Sequence, residues 1–176
     1  MKLILVMVTS LDGRSTKGTV SDTHVWTSPE DQKHFLTIRD NASLLIMGSK
    51  TYEAVKKSMT HAPEKLRVVI TRNPEKYASE KIPGKLEFSS EDPRDLIERL
   101  EKKGYIEGYL VGGAHTNTEF IKQGLVTELW QTLEPKILGV GNGIIGEELS
   151  ESSWKLLSYE KLNETGTLLL KNKFLE

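Results

Sequence analysis

The feature that most constrains this chain is an apolar run that stops at two glycines and gives way to an amphipathic segment. The run covers residues 109–111, Gly112 and Gly113 break it, and apolar residues return from Phe120 onward. This order predicts a buried strand, a tight turn and a helix. Such a turn directs free backbone N–H groups and the positive end of a helix dipole toward an anion such as phosphate. The glycine pair also has a purely structural interpretation, in which it only lets the strand turn closely onto the helix.

A second junction of the same kind lies earlier in the chain. Apolar residues 44–47 predict a buried strand, and Gly48-Ser49-Lys50-Thr51 opens a short helix. Further strands are predicted at 2–8, 67–71, 85–89, 126–137, 156–162 and 167–175, and further helices at 28–40, 92–104 and 114–125. Strands alternate with helices and then end in a hairpin. We therefore expect one α/β domain over residues 1–176, with a mostly parallel sheet, helices on both faces and an antiparallel C-terminal hairpin.

Two irregular segments bear on function. Residues 10–27 form a polar connection that is longer than most loops in a compact domain, which makes it a candidate functional flap. Residues 141–146 match G-x-G-x-x-G, the dinucleotide fingerprint, but that pattern has meaning only between a strand and a helix. The following residues, 147–153, are too few and too polar for a packed helix. We therefore interpret 141–146 as a glycine-rich connection.

Composition narrows the partners to small molecules. The chain has 176 residues, a formal net charge of -1 and no cysteine. Without a long block of Lys and Arg, nucleic acid or a membrane surface is not expected as the main partner. The absence of cysteine excludes disulfides and thiolate metal sites and fits the cytoplasm, where we expect the protein. The four histidines have no ligand spacing, so no metal site is expected, and no G-x-S-x-G elbow is present.

Several separated segments resemble one superfamily. Residues 26–35, 46–53 and 68–73 are similar to the front half of a dihydrofolate reductase, and Gly112-Gly113 falls at the glycine pair of that family. Residues 9–14, Thr-Ser-Leu-Asp-Gly-Arg, are instead similar to the opening of the pyrimidine reductase domain of riboflavin biosynthesis, which shares the dihydrofolate reductase fold. The chain is identified as a member of this superfamily along essentially its whole length, nearer to the pyrimidine reductase branch.

The resemblance implies NADPH as cofactor. It places the cofactor phosphates at the two strand–glycine–helix junctions, the adenosine 2′-phosphate at the end of the third predicted strand, and the nicotinamide beside the first strand. A guanidinium suits a phosphate geometrically; without the resemblance, Arg72 would be taken as a surface charge. The implied cofactor-binding residues are Thr9, Gly48, Ser49, Thr51, Thr71, Arg72, Gly112, Gly113, Ala114, His115 and Thr116.

The resemblance also implies three substrate residues. Asp31 matches the carboxylate that binds the pterin ring in dihydrofolate reductase, where it helps to protonate the C=N bond that receives hydride. The alternative role of Asp31 is purely structural: Ser28-x-x-Asp31 is close to a capping box, in which Asp31 would only cap the helix start. Trp26 walls the nicotinamide pocket or packs on the helix start. Arg39 lies ten residues after Pro29, where pyrimidine reductases carry a substrate-phosphate arginine; on spacing alone it is a helix-end charge.

The sequence also departs from both branches. Residues 58–65 lack the Asp-Asp-Pro segment that leads to a second substrate arginine in pyrimidine reductases, and Gly112 stands where they place a glutamate. The 10–13 flap differs from that of dihydrofolate reductases. We predict an NADPH-dependent reductase, acting as a homodimer on 5-amino-6-(5-phosphoribosylamino)uracil or a similar heterocycle. The alternatives are dihydrofolate reduction and a catalytically silent nucleotide-binding protein.

Overall fold

An eight-stranded sheet runs through the molecule, whose computed structural model describes residues 1–20, 22–146 and 149–175. Its spatial order is β4-β3-β2-β5-β1-β6-β8-β7. The first six strands along the chain pair in parallel, β8 pairs antiparallel with β6, and β7 pairs antiparallel with β8. The strands are β1 Lys2–Ser10, β2 Leu44–Gly48, β3 Leu66–Ile70, β4 Leu86–Ser89, β5 Glu107–Leu110, β6 Glu128–Glu134, β7 Ser153–Lys161 and β8 Leu168–Leu175.

Four α-helices cover the sheet, and each begins where the sequence places a helix-starting residue. The helix α1 follows Ser28 and α3 follows Asp92; both caps accept a backbone N–H and both helices have proline in the first turn. The helices are α1 Pro29–Asn41, α2 Ser49–Val55, α3 Pro93–Lys102 and α4 Ala114–Lys122. The predicted fold class, a mostly parallel sheet with an antiparallel C-terminal hairpin, is confirmed.

The core lies on both faces of the sheet. Leu3 and Leu5 of β1 pack on one face with residues of α3 and α4, while Ile4 and Val6 pack on the other face with Ile38 of α1. Burial on both faces explains why β1 is continuously apolar rather than alternating. In consequence, α1 and α2 lie on one face of the sheet and α3 and α4 on the other.

The sequence analysis missed three 3₁₀ helices of the described residues, two of them of three residues each, Thr23–Val25 and Lys56–Ser58, and misplaced some strand ends. The third 3₁₀ helix covers Pro74–Glu80, begun by Asn73, whose side chain accepts the Lys76 N–H at 3.4 Å. The strand predicted over 126–137 is shorter, and the one predicted from residue 156 begins at Ser153. Residues 141–146 form an irregular connection between β6 and β7, as predicted, although residues 147 and 148 of the segment that follows lie outside the described residues. None of the helices in the described ranges has the length and apolar character needed to span a membrane.

Candidate active site

A cleft of about 940 Å³ opens on the face of the sheet that carries α1 and α2. The ends of β2, β3 and β5 form its floor, and α1 forms one wall. It brings together most of the residues that the sequence analysis selected from distant parts of the chain. These are Asp31, Arg39, Gly48, Ser49, Thr51, Thr71, Arg72, Gly112, Gly113, Ala114, His115 and Thr116.

The two strand–glycine–helix junctions lie directly against each other. The Gly48 N–H donates to the Gly112 carbonyl at 2.7 Å, which ties the end of β2 to the turn after β5. A Cβ placed on Gly48 would lie 2.5 Å from Thr116 Oγ1, closer than any side chain tolerates. A Cβ on Gly113 would lie 3.4 Å from Thr51 Oγ1. The close approach of the two junctions therefore requires glycine at position 48.

The start of α4 is open toward the cleft. Its N-cap is Gly113, which has no side chain to cap the helix, and Gly112 before it has a φ of +99°, a conformation that favours glycine. The peptide bond between these two glycines is cis. The first intrahelical bond joins the Asn117 N–H to the Gly113 carbonyl at 2.9 Å. Within the described residues, the N–H groups of Ala114, His115 and Thr116 in the first turn therefore have no acceptor and can bind an anion.

The end of β3 supplies the other polar wall of this region. The Thr71 N–H donates to the Ser89 carbonyl at 2.9 Å, which continues the pairing of β3 with β4 beyond the strand. Arg72 is exposed and lines the cleft. An extended guanidinium at a strand end is well placed to meet a phosphate that arrives from solvent.

Asp31 is buried at the start of α1, but its carboxylate does not cap that helix. Ser28 Oγ accepts the Asp31 backbone N–H at 3.2 Å, so Ser28 is the N-cap, as predicted. The reciprocal bond of a capping box would join the Ser28 N–H to the Asp31 carboxylate. That N–H donates instead to Glu134 Oε1 at 2.7 Å, and Glu134 Oε2 accepts the Thr167 hydroxyl at 3.0 Å. The Asp31 carboxylate therefore does not make the reciprocal capping bond, and Asp31 lines the cleft.

The surroundings of Asp31 favour its protonated form. Burial raises the pKa of the Asp31 carboxyl, and the nearby Glu134 carboxylate raises it further, against the opposing effect of the Thr132 hydroxyl. A carboxyl that keeps its proton at higher pH than an exposed aspartate is better suited to act as an acid near neutral pH. The sequence analysis did not select Glu134 as a site residue. Its position at the end of a predicted strand was only a weak indication that it lies near the cleft.

Two predicted residues lie away from this cleft. Thr9 is buried in β1, where its hydroxyl accepts Gln131 Nε2 at 2.7 Å across the pairing with β6. Trp26 is buried beside Lys136, which donates to the Trp26 carbonyl, and the indole lines a separate cavity of about 410 Å³. The structure thus places Trp26 just before the helix start, on the flap side of α1.

Basic residues gather where the last turn of α1 faces β3. Arg39 pairs with Asp40 at 2.8 Å and is half-buried, while Lys65 is buried and donates to the Arg39 carbonyl. Arg67 of β3 is 3% exposed and lines the cleft together with Arg39. Burial, and then the Arg39 charge, lower the pKa of Arg67. Sequence reasoning missed Arg67, although a charge inside the apolar run 66–70 was a signal that could have identified it.

The described parts of the flap, residues 10–20 and 22–27, include Asp12 and Thr16, which contact the glycine-rich connection between β6 and β7. The Asp12 carboxylate accepts the N–H groups of Leu138 at 3.0 Å and Gly139 at 2.7 Å, as well as the Ser10 hydroxyl at 2.6 Å. The Ser10 hydroxyl and then these N–H groups lower the pKa of Asp12 to about 2. A Cβ on Gly141 would lie 1.9 Å from the Thr16 carbonyl oxygen. The G-x-G-x-x-G match therefore reflects loop-to-loop packing.

Comparison with known proteins identifies the family. The model of the RibD C-terminal domain matches residues 1–168 of the chain. The chain belongs to this family. The RibD C-terminal domain is a riboflavin-pathway reductase domain, which confirms the superfamily and the branch to which the sequence analysis assigned the chain.

Individual proteins are also similar to this chain, one in sequence and others in fold. The chain is 26% identical over 162 residues to the uncharacterized protein YwjB of Bacillus subtilis, with 88% of each chain covered. A putative riboflavin biosynthesis protein from Shewanella sp. PV-4 has the same fold, with a TM-score of 0.79 and 23% identity over the whole of both chains. The deaminase/5-amino-6-(5-phosphoribosylamino)uracil reductase of Thermotoga maritima superposes with a TM-score of 0.78 and 15% identity, over 99% of this chain and 56% of that one.

Proposed function

We propose that this protein is an NADPH-dependent reductase that acts on 5-amino-6-(5-phosphoribosylamino)uracil or a closely related heterocycle. The observation that carries this proposal is the shared cleft. An open helix start suited to phosphate and a buried, protonatable carboxyl, Asp31, line the same 940 Å³ volume. A reductase needs both an anchor for a dinucleotide and an acid beside the reacting ring.

The residues present fit the cofactor. The uncapped start of α4 offers backbone N–H groups to the pyrophosphate, and the hydroxyls of Ser49 and Thr51 line the adjoining junction. The hydrogen bond from the Gly48 N–H to the Gly112 carbonyl holds this junction against the start of α4. Arg72 is free to meet the adenosine 2′-phosphate. When bound, NADPH supplies the hydride for the reduction.

The remaining chemistry falls to Asp31 and Arg39. Burial raises the pKa of the Asp31 carboxyl, which would donate its proton to the ring atom that gains electron density during reduction. Arg39, half-buried in the last turn of α1, would bind the phosphate of the ribosyl group. The apolar side chains of α1 that line the cleft, such as Phe35 and Leu36, would exclude water from the reacting ring.

Dihydrofolate reduction is the second candidate, and one observation favours it. Asp31 matches the pterin-binding carboxylate in sequence, and it does not cap the helix because Glu134 accepts the Ser28 N–H. A carboxylate at this place could pair with the amidine-like edge of a pterin. Substrate turnover must therefore decide between the two candidates.

The test is NADPH consumption measured separately with the aminouracil ribosyl phosphate and with dihydrofolate. We expect turnover of the former. For that substrate, Arg39→Ala should raise KM about ten-fold or more with kcat largely kept, because a phosphate contact is made equally in the ground and transition states. A large kcat loss in Asp31→Asn with an unchanged Arg39→Ala enzyme would favour dihydrofolate. NADPH binding without turnover of either substrate would favour a silent nucleotide-binding protein.

We also propose that two copies associate through β7. This strand ends the sheet and is exposed on both faces, where it presents Leu156, Leu157 and Tyr159 to solvent. An edge strand with apolar side chains is a ready surface for a second copy. Sedimentation velocity should report a dimer, and Tyr159→Glu should shift it toward monomer; a monomeric parent protein would refute the proposal.

A further inference from the structure

Arg67 is a buried cation without a counter-ion in the described part of the chain. Only 3% of the residue is exposed, on a strand whose neighbours are apolar. Its Nη1 atom has no hydrogen-bond partner, and no carboxylate of the described residues lies within 4 Å of its guanidinium. A buried, unpaired charge is strongly unfavourable, so proteins retain one mainly where something else completes it.

Two other cations of this region, Lys65 and Arg39, have partners of their own. Lys65 donates to the Arg39 carbonyl in the last turn of α1, where the helix dipole is negative, and Arg39 pairs with Asp40 at 2.8 Å. Burial, and then the Arg67 charge, lower the pKa of His61, whose buried Nδ1 atom has no partner among the described residues. Of the buried nitrogen atoms in this region, Arg67 Nη1 and His61 Nδ1 therefore lack partners among the described residues, and Arg67 is the one that carries a full charge.

Arg67 lies at the opposite end of β3 from the candidate cofactor residues. It lines the cleft beside Leu45 and Arg39, whereas Arg72 follows the strand five residues later. At about 3.3 Å per residue, this spacing separates the two arginine Cα atoms by roughly 16 Å. Arg67 is thus separated along β3 from the residue proposed to bind the adenosine 2′-phosphate, and it lies near Arg39 of α1.

We propose that Arg67, assisted by Arg39, binds an anionic group of the substrate, either a phosphate or a carboxylate. A guanidinium binds two oxygens of either group with parallel N–H bonds, and the anion would supply the charge that the protein does not. The proposal rests on the proposed function, because it assigns a binding group to the substrate of the same cleft. In this proposal Arg67 acts as the second substrate arginine, after Arg39. Residues 58–65 lack the Asp-Asp-Pro segment that leads to such an arginine in pyrimidine reductases.

The test measures anion binding without cofactor or turnover. Thermal unfolding of the full chain is followed with increasing ribose 5-phosphate, and separately with p-aminobenzoylglutamate as the carboxylate source. Uncharged ribose is the ligand control. The variants are Arg67→Met, Arg67→Lys and the matched control Arg94→Met, since Arg94 is an exposed arginine whose Nη2 donates to the Gln123 carbonyl.

We expect one of the two anions, but not ribose, to raise the Tm of the parent protein and of Arg94→Met. Arg67→Met should bind that anion about 10- to 100-fold more weakly, and Arg67→Lys should be intermediate. Without ligand, Arg67→Met should be at least as stable as the parent, because it removes an unpaired buried charge. The effective anion identifies the source: ribose 5-phosphate indicates a phosphate, and p-aminobenzoylglutamate indicates a carboxylate.

Three results would overturn the proposal: no response to either anion, an undiminished response in Arg67→Met, or marked destabilisation of ligand-free Arg67→Met. The last would assign Arg67 a structural role. Because no NADPH is present, these results are independent of the proposed reductase activity. Arg67-dependent anion binding in a protein that consumes no NADPH would support this inference while refuting the proposed function.

Discussion

The Glu134 carboxylate accepts the Ser28 backbone N–H at 2.7 Å, across 106 residues of sequence. In a capping box the acceptor of this N–H would be the side chain three positions after Ser28, which is that of Asp31. Because Glu134 accepts this hydrogen bond instead, the start of α1 is fixed to β6. Glu134 also accepts the hydroxyl of Thr167, the residue before β8. The side chain that local sequence would assign to helix capping is therefore available for chemistry.

Replacing Glu134 should destabilise the protein strongly. Glu134→Ala leaves the buried Ser28 N–H and the Thr167 hydroxyl without their partner, and we expect a loss of about 3 kcal/mol in the free energy of unfolding. Glu134→Gln keeps one oxygen acceptor for the Ser28 N–H and should cost only about 1 kcal/mol. Urea denaturation checks both values. Equal losses in the two variants would show that the charge, not the hydrogen bond, matters.

The effect of Asp31→Asn on stability should depend on pH. Burial raises the pKa of Asp31 above its ordinary value of 3.8, so the folded chain holds this proton more tightly than the unfolded chain. The stabilisation is complete below pH 3.8 and is lost as pH rises through the raised pKa. Asp31→Asn should therefore be more stable than the parent protein at pH 7, with a smaller difference at pH 3.5.

Thermal unfolding at several pH values provides the measurement. Asp95→Asn is the matched control, because Asp95 is an exposed acid in the first turn of α3. A capping role for Asp31 would give the opposite sign, with Asp31→Asn less stable at pH 7 by roughly 1 kcal/mol.

Alanine at position 48 should disrupt the contact between the two glycine junctions. The added Cβ would lie 2.5 Å from Thr116 Oγ1, and relieving that overlap should cost about 1–3 kcal/mol of stability. NADPH binding, followed by nicotinamide fluorescence, should weaken by at least about ten-fold, because the cradle must shift. In the double variant Gly48→Ala/Thr116→Ala the overlapping oxygen is absent, so much of the lost stability should return. Additive losses would show that Gly48 is needed for another reason.

Arg72→Ala should separate NADPH from NADH. A charge-assisted hydrogen bond is worth roughly 1.5–3 kcal/mol, so NADPH should bind about ten- to a hundred-fold more weakly while NADH is nearly unaffected. Equilibrium titration with each cofactor gives the ratio, and Arg94→Ala serves as a control for the loss of one surface charge. Equal weakening of both cofactors would mean that Arg72 does not contact the 2′-phosphate.

The sequence alone determined the order of helices and strands, the helix start at Ser28 and the two strand–glycine–helix junctions. These features depend on local patterns: apolar periodicity, capping residues and glycine at turns. The same patterns missed the 3₁₀ helix at 74–80, where a short element has no periodicity of its own.

Only the tertiary structure decided which side chains meet. The order of the sheet places β6 beside β1, which brings Glu134 to Ser28 and leaves Asp31 facing the cleft. It also brings α1 over β3, which buries Arg67 next to Arg39. In sequence, Arg67 is one charge in a short apolar run, and nothing local distinguishes a solvated arginine from a buried one. Burial and electrostatic partners depend on residues far apart in the chain, so they exist only once the sheet has assembled.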